Sequence, residues 1–284
     1  MYICLRLLIV FNFLLLIISG RSLIAQQNDQ SLTKGNYLDD IQNYYEKVLE
    51  ADSTNYDALT NLGVIYQSAE GGGNLQKSLS YFEKAAKFHP KKARAYHNLG
   101  ILYSLMNRLD NAVINLNKAA ELDSTSPNSI RQLGIIYLQN DMFSEAIESF
   151  ERALGREKFD NESRLGKALA YWSLKEYDNV LTAINEMQSI GLRFNRMELL
   201  LADVYFKKND YDKAIKYAKL DETENSSQAE GHYLLGVLYK MEGQKNKAEL
   251  EFGEAFTIAK QNPNSSLTLS INIFFESNIK QQLE

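Results

Sequence analysis

The sequence predicts an all-α protein built from a repeated pair of helices. A tyrosine recurs every 34 residues, at Tyr103, Tyr137, Tyr171, Tyr205 and Tyr239. The segments around it share an apolar pattern, for example Leu-Gly-Ile-Leu-Tyr at residues 99–103. Only 3 of the 284 residues are proline, so little interrupts long helices. A fixed period of this length is typical of proteins that stack one helical unit many times.

The composition argues against three classes of protein: disordered, disulfide-stabilised and nucleic-acid-binding. With 45% hydrophobic and 24% charged residues, the chain can bury an apolar core, which argues against intrinsic disorder. The single cysteine excludes a disulfide-stabilised scaffold. There are 31 basic against 36 acidic residues and no basic cluster, so no nucleic-acid partner is expected.

Residues 1–25 are predicted to be a signal peptide. Arg6 precedes a stretch from Leu7 to Ile18 that is apolar except for Asn12. This stretch has 12 residues, whereas a membrane-spanning helix needs ~20. We expect cleavage after Ala25, or alternatively after Gly20, and export to the periplasm or cell envelope. The alternative is an uncleaved segment that anchors the chain in the inner membrane, and only that segment would contact a membrane.

Residues 26–55 are predicted to form an N-terminal half repeat, because Ile41, Tyr45 and Val48 are in phase with a second helix. Six full units follow. The first has 37 rather than 34 residues because Gly71-Gly72-Gly73 lies between its helices. The predicted units are 56–92, 93–126, 127–160, 161–194, 195–228 and 229–262.

Residues 263–284 are predicted to form a C-terminal capping helix. Leu267, Leu269, Ile271, Ile273 and Phe274 still supply an apolar stripe after the repeat pattern fades. A stack of repeats needs a terminal element with one solvated face, which favours a cap over a binding tail.

Each unit carries the same residue types at the same places, counted from its first residue. The second unit has Leu99-Gly100 before Tyr103, then a small, a large and a small residue at Ala112, Leu116 and Ala119. With this pattern the chain resembles the tetratricopeptide repeat family, of an exported bacterial type. The fourth unit departs from it with Lys167-Ala168, and the terminal proline survives only as Pro90.

The resemblance covers residues 56–262 and implies a right-handed superhelical solenoid of antiparallel helix pairs. Its concave groove would be lined by the first helix of each unit. We expect the small residue at the eighth place to face the small residue at the twentieth, because a larger side chain would separate the helices. The repeated tyrosines are interpreted as core residues rather than as an aromatic binding strip.

The fourth and fifth units break this packing pattern most. Val180 and Met187 are larger than the residues usual at two places where the repeat has a small side chain. Ala218 is smaller than the phenylalanine or leucine usual at its place, and Asp221 puts a charge where alanine is usual. A poorly packed interface between two repeats makes the repeats on either side of it unfold less cooperatively. We therefore expect a soft joint near residues 218–230, with a repacked, rigid interface as the alternative.

The sequence contains no pattern typical of catalysis or metal binding. The 3 histidines, His89, His97 and His232, have no second ligand at metal-binding spacing. Without a histidine placed as base, the serines and aspartates assemble no nucleophile. Gly71-Gly72-Gly73 follows no strand and is interpreted as a turn. We expect no catalytic residue, no metal, no cofactor and no small-molecule substrate.

The family resemblance places ligands on the concave face, at places two, five, six, nine, twelve and thirteen of each unit. In the first three units these places hold a set of polar residues that we name the polar row: Asn61, Arg94, His97, Asn98, Arg131, Gln132 and Gln139. Asparagine can bond a peptide backbone, and arginine can bind a carboxylate. The alternative is a solvated helix face with no ligand.

One branch of the family binds carboxylates with a clamp of lysine, asparagine and arginine. Asn61 and Arg94 match two of its positions, but Asn98 replaces the second base and the preceding half repeat has no Lys-Asn pair. That clamp is therefore not expected.

These features predict a non-catalytic scaffold or adaptor that holds a peptide or protein partner in a bacterial envelope assembly. The alternative is an accessory subunit of a secretion machine or envelope enzyme whose activity lies in another chain. A cell-wall or carbohydrate binder comes last, because few groove places are aromatic.

Overall fold

The computed structural model describes residues 34–68, 73–194, 196–224 and 229–261. These ranges contain thirteen α-helices and no strand, which confirms the predicted all-α class. The predicted signal peptide at 1–25 and capping helix at 263–284 lie outside the described residues. The helices are α1 Lys34–Ala51, α2 Tyr56–Gln67, α3 Leu75–Phe88, α4 Ala93–Leu105, α5 Leu109–Leu122, α6 Asn128–Gln139, α7 Phe143–Arg156, α8 Asn161–Ser173, α9 Tyr177–Ser189, α10 Met197–Lys207, α11 Tyr211–Glu224, α12 Ala229–Met241 and α13 Lys245–Gln261.

The chain divides into two compact units, whose described residues are 34–170 and 171–261. In the first unit, α2 packs on α3, α4 on α5, and α6 on α7. In the second unit, α10 packs on α11 and α12 on α13. These are the antiparallel helix pairs that the repeat predicts. The residue boundaries of the six predicted repeats stay a prediction.

The helix pairs approach closely where a glycine lets a large side chain enter. A Cβ atom built on Gly134 would lie 2.7 Å from Phe150 Cε1, and one on Gly166 would lie 2.3 Å from Phe150 Cζ. The buried ring of Phe150 therefore fits between a glycine of its partner helix α6 and a glycine of the following helix α8. The remaining eighth-place glycines meet large side chains in the same way, with Gly63 against Phe82, Gly100 against Leu116 and Gly236 against Phe252.

The expected contact between the eighth and twentieth places is present beside this one. Ser78, the small second-helix residue of the first unit, donates its hydroxyl to the Gly63 carbonyl oxygen over 2.7 Å, and the Ala112 carbonyl oxygen lies 3.2 Å from a Cβ built on Gly100. The side chain nearest to the glycine is the large residue at the twenty-fourth place. The small residue at the eighth place is therefore required by the volume of a buried ring or leucine.

The turn inside five of the units uses one conformation. Its central residue has a positive φ, between 57 and 75°, at Asn107, Asp141, Lys175, Asn209 and Gly243. The next residue then donates its N–H to the carbonyl of the repeated tyrosine, for example Arg108 to Tyr103 at 2.8 Å and Gln244 to Tyr239 at 2.9 Å. This is the hydrogen-bond pattern of a helix end closed by a left-handed residue. Asparagine, aspartate and glycine tolerate that conformation, whereas Lys175 adopts it at a cost.

The repeated tyrosines are less deeply buried than predicted. Tyr66 and Tyr239 are 8% and 5% exposed, while the other four are only partly buried. Tyr205 stacks on Tyr217 with ring centroids 5.5 Å apart, and Tyr103 donates its hydroxyl to Glu83 Oε1. Tyrosine at this place therefore packs with its ring and keeps its hydroxyl at the polar edge.

Two apparent defects of the repeat are compensated by charge pairs. Lys167, at a place where leucine is usual, lies 3.0 Å from Glu151 Oε1 on α7. Asp221 has no exposed area, and both its oxygens accept hydrogen bonds from Arg196, at 2.9 and 3.0 Å. Val180, Met187 and Ala218 are all fully buried. Residues 225–228 of the expected soft joint lie outside the described residues, and the joint stays a prediction.

Candidate partner-binding face

All seven residues of the polar row lie on the first helices α2, α4 and α6 of the unit that holds residues 34–170. Arg94 and Gln139 are exposed, and the other five are half-buried. The repeat period brings them to equivalent helix faces, as the sequence implies. Their hydrogen bonds, however, differ from residue to residue.

Arg94 begins the row on α4 with one described hydrogen bond. Its Nη2 donates to Asn61 Oδ1 on α2 over 3.1 Å, and the contact is exposed to solvent. A single exposed bond of this kind holds a long side chain weakly. Arg94 therefore keeps donors for a ligand carboxylate, and Asn61 links it to the neighbouring helix.

His97 and Asn98 lie in the middle of α4. His97 Nδ1 is 3.0 Å from Ser129 Oγ on α6, which connects the two first helices. Asn98 Nδ2 is buried and has no hydrogen-bond partner among the residues that the structure describes. An unpaired buried donor is destabilising, by about 1–3 kcal/mol, and most buried polar groups in proteins are paired. Asn98 is thus the member of the row whose hydrogen-bonding capacity is left open.

Arg131 is held by three partners within the chain. Its Nη1 lies 2.9 Å from Asp160 Oδ2, its Nε 2.8 Å from Glu162 Oε2, and its Nη2 donates to Asn128 Oδ1 over 2.7 Å. The side chains of Arg131 and Asp160 are 12% and 3% exposed. Asp160 also accepts from Ser163 Oγ over 2.7 Å. This arginine fastens α6 to the start of α8.

Gln132 and Gln139 complete the row on α6. Gln132 is half-buried beside Arg131, and Gln139 is exposed near the end of the helix. The predicted residues therefore differ in how they are held. Arg131 has three partners within the chain, and Arg94 with Asn61 and His97 with Ser129 form bonds between first helices. Asn98 Nδ2 is buried without a partner among the described residues.

The sequence reasoning missed the acids that hold Arg131. Asp160 closes the third predicted unit and Glu162 opens the fourth, about thirty residues after the arginine. The sequence does show two acids about one repeat after Arg131, and this spacing could have indicated a pairing.

A second buried charge cluster lies in the unit that holds residues 171–261. Arg196 binds Asp221 with two hydrogen bonds and donates to Glu230 Oε2 over 3.2 Å. Burial raises the pKa of Asp221, while Arg196 opposes that rise. Arg196 has a φ of 66°, so this residue accepts an unfavourable backbone conformation as it starts α10.

A buried tryptophan–aspartate pair lies in the same unit. Trp172 Nε1 donates to Asp203 Oδ2 over 2.6 Å. Burial raises the pKa of the Asp203 carboxyl, against the opposing effects of Lys207 and of the Trp172 hydrogen bond. Oδ1 of Asp203 is buried and accepts no hydrogen bond from any described residue.

The described part of the chain lacks two other kinds of feature. Within residues 34–68, 73–194, 196–224 and 229–261, no three histidine, cysteine or acidic side chains are grouped so as to hold a metal ion. No helix in these ranges is both long and apolar enough to span a membrane.

Comparison with known families and structures agrees with the repeat pattern. Three family models, all described as tetratricopeptide repeat, match residues 56–125, 131–187 and 199–220, and together they cover just over half of the chain. The solved structure of PilW, a widely conserved type IV pilus biogenesis factor, is 16% identical with a TM-score of 0.61, over 76% of this chain and 97% of that one.

A tetratricopeptide repeat protein from Parabacteroides merdae is 20% identical with a TM-score of 0.58, over 92% of this chain and 99% of that one. Among curated sequences, anaphase-promoting complex subunit 3 of Schizosaccharomyces pombe is 23% identical over 142 residues, which is 50% of this chain and 21% of that protein. The chain thus spans about a fifth of that relative. Likeness at these identities shows the shared fold.

Proposed function

Because this chain belongs to the tetratricopeptide repeat family, whose members bind protein or peptide partners, we propose that it is a non-catalytic scaffold that holds an extended peptide segment of a protein partner on α4 and α6. The observation that carries this proposal is the buried, unpaired amide nitrogen of Asn98 on α4. A peptide carbonyl accepting from Asn98 Nδ2 would supply its missing hydrogen bond.

Arg94 gives the proposed site its charge preference. It lies one helical turn before Asn98, so both side chains project from the same face of α4. Its exposed bond to Asn61 is easily exchanged for a stronger, charge-assisted bond to a carboxylate. The peptide is therefore expected to carry an acidic residue, or its own C-terminal carboxylate, beside the carbonyl that Asn98 binds.

Arg131 has a different role in this proposal. Its three intramolecular partners fix α6 relative to α8, so it positions Gln132 and Gln139 without binding the ligand. Its removal is expected to lower stability first and partner binding second.

We place the partner in a bacterial envelope assembly, on the evidence of the predicted signal peptide at residues 1–25. The role of PilW in type IV pilus biogenesis belongs to that protein and supports the proposal only as a precedent on the same fold. The second candidate, an accessory subunit of a secretion machine or envelope enzyme, uses the same face and differs in what the partner does.

Site-specific photo-crosslinking in envelope preparations tests this proposal. A photoreactive amino acid at position 139, on the exposed end of α6, should form one discrete adduct, while the same amino acid at Glu148 on the exposed face of α7 should not. The adduct from position 139 should disappear when Arg94→Ala and Asn98→Ala are introduced together. An adduct that survives both substitutions would mean that the partner binds elsewhere and that the polar row is a solvated face.

A further inference from the structure

Trp172 and Asp203 meet where two first helices face the expected groove. Trp172 holds the twelfth place of the fourth predicted repeat, and Asp203 the ninth place of the fifth. Both places are among those that the family resemblance assigns to ligand contact. The indole donates to Oδ2 of the carboxyl over 2.6 Å, with Trp172 5% and Asp203 0% exposed.

The second oxygen of Asp203 lacks a hydrogen-bond donor among the described residues. Oδ1 is buried, and no group within residues 34–68, 73–194, 196–224 and 229–261 donates to it. An ionised carboxylate accepts about four hydrogen bonds, and its burial is costly when these are missing. Lys207, one turn along α10, lowers the cost through its charge but makes no hydrogen bond to Oδ1.

The other buried acids of this unit are already bound by arginine. Asp221 and Glu230 are held by Arg196, and Glu198 by Arg193. Asp203 is the exception, because no arginine of the described ranges is paired with it. The remaining ligand-contact places on α10 are apolar or basic, with Leu199, Leu200 and Phe206 all buried.

We propose that Asp203 is the anchor for a basic side chain, lysine or arginine, of a bound protein segment. The cation donates to Oδ1 while Trp172 keeps Oδ2. Because Asp203 has no exposed area, this segment enters only as that face opens. The inference rests on the proposed scaffold function and adds to it the chemistry of a second contact, in the unit that holds residues 171–261.

Trp172 makes the inference directly measurable. It is the only tryptophan among the 284 residues, so emission excited at wavelengths beyond the absorption of the 17 tyrosines reports on the partner of Asp203 alone. The probes are three capped synthetic peptides with the same leucine-rich sequence and lysine, glutamine or glutamate at the central position. The full chain is titrated with each peptide while Trp172 emission is followed.

The lysine peptide is expected to shift the emission and to bind at least about ten-fold more tightly than the glutamine or glutamate peptide, as one charge-assisted bond allows. Asp203→Asn retains an acceptor for Trp172 but no charge, and it should abolish the preference for lysine while leaving the affinity for the glutamine peptide unchanged. The matched control is Asp212→Asn, which removes an exposed charge on α11 and should preserve the preference.

Equal affinity for the lysine and glutamine peptides would overturn the inference, and so would an unchanged preference in Asp203→Asn. Failure of all three peptides to bind would also overturn it. None of these outcomes affects the crosslinking test at position 139, which probes the other unit. The two proposals can therefore fail separately.

Discussion

Replacement of Arg131 by alanine should destabilise the protein far more than replacement of Arg94. Arg131 has a side chain that is 12% exposed and is paired with Asp160, which is 3% exposed. Removing one member of a buried ion pair generally costs about 3–5 kcal/mol, because the other charge stays buried without its partner.

The destabilisation expected for Arg131→Ala is smaller than this general value for two reasons. Asp160 still accepts hydrogen bonds from the hydroxyl and backbone N–H of Ser163, so its charge is not left entirely unpaired. Glu162 is 38% exposed and is largely screened by solvent, so its bond to Arg131 adds little. We therefore expect Arg131→Ala to lower the free energy of unfolding by about 2–3 kcal/mol. Arg94→Ala removes one exposed bond and should cost less than about 0.5 kcal/mol.

Urea unfolding followed by the helical circular dichroism signal measures these differences. A further variant, Arg131→Ala combined with Asp160→Asn, separates the charge effect from lost packing. Its stability should exceed that of Arg131→Ala by about 1 kcal/mol or more, because the unpaired charge is gone. If Arg131→Ala matches Arg94→Ala in stability, or if the combined variant is weaker than Arg131→Ala, the assignment of Arg131 to the fold is wrong.

Three further substitutions test the packing, a turn and the buried acid. Gly166→Ala should destabilise by about 1–3 kcal/mol through its collision with Phe150, whereas Gly155→Ala, with no neighbour within 4 Å, should not; urea midpoints compare them. Lys175→Gly should raise the unfolding free energy by about 1 kcal/mol, since glycine accepts the left-handed conformation, and an unchanged midpoint would contradict this. Burial raises the pKa of Asp203 above its ordinary value of 3.8, so the folded protein keeps this carboxyl protonated at pH values where the unfolded chain has lost the proton. The wild-type free energy of unfolding should therefore fall as pH rises above 3.8, and Asp203→Asn should become more stable relative to wild type. A stability difference that does not change with pH would refute this.

The helices were predictable because their signal is local and repeated. The 34-residue period and the residue types around each tyrosine determine which faces are apolar, and helix pairing follows from the need to bury those faces. The location of Arg94 and Asn98 on one face of α4 follows from the same periodicity. These features depend on residues within one or two helical turns of each other.

The partners of the charged residues were not predictable in the same way. Arg131 with Asp160, and Arg196 with Asp221, join residues about one repeat apart at places where the family pattern leaves the residue type open. In the sequence, Asp221 therefore looked like a packing defect and Arg131 like a ligand-binding residue. Whether such a charge faces solvent, ligand or a buried partner depends on side-chain geometry, which a repeat pattern does not specify.

The turn and the glycine contacts give a second example. The left-handed residue recurs as Asn107, Asp141, Asn209 and Gly243, a pattern that was present in the sequence. The apolar pattern that identifies the repeat does not include this turn position. The ring of Phe150 touches two glycines from two different helices, and only the structure shows that second contact.

The central claim, that a partner peptide is bound by Arg94 and Asn98 on α4, is tested most directly by its equilibrium dissociation constant. The partner identified by crosslinking would be titrated against the wild-type chain, against Arg94→Ala/Asn98→Ala, and against the control Asn111→Ala/Arg152→Ala, which truncates exposed residues of the same types on α5 and α7. We predict that the first variant raises Kd at least about thirty-fold, from the loss of one charge-assisted and one neutral hydrogen bond. The control should match wild type, and the first variant should lose no stability because Asn98→Ala removes an unpaired donor. An unchanged Kd in a folded Arg94→Ala/Asn98→Ala protein would contradict the account.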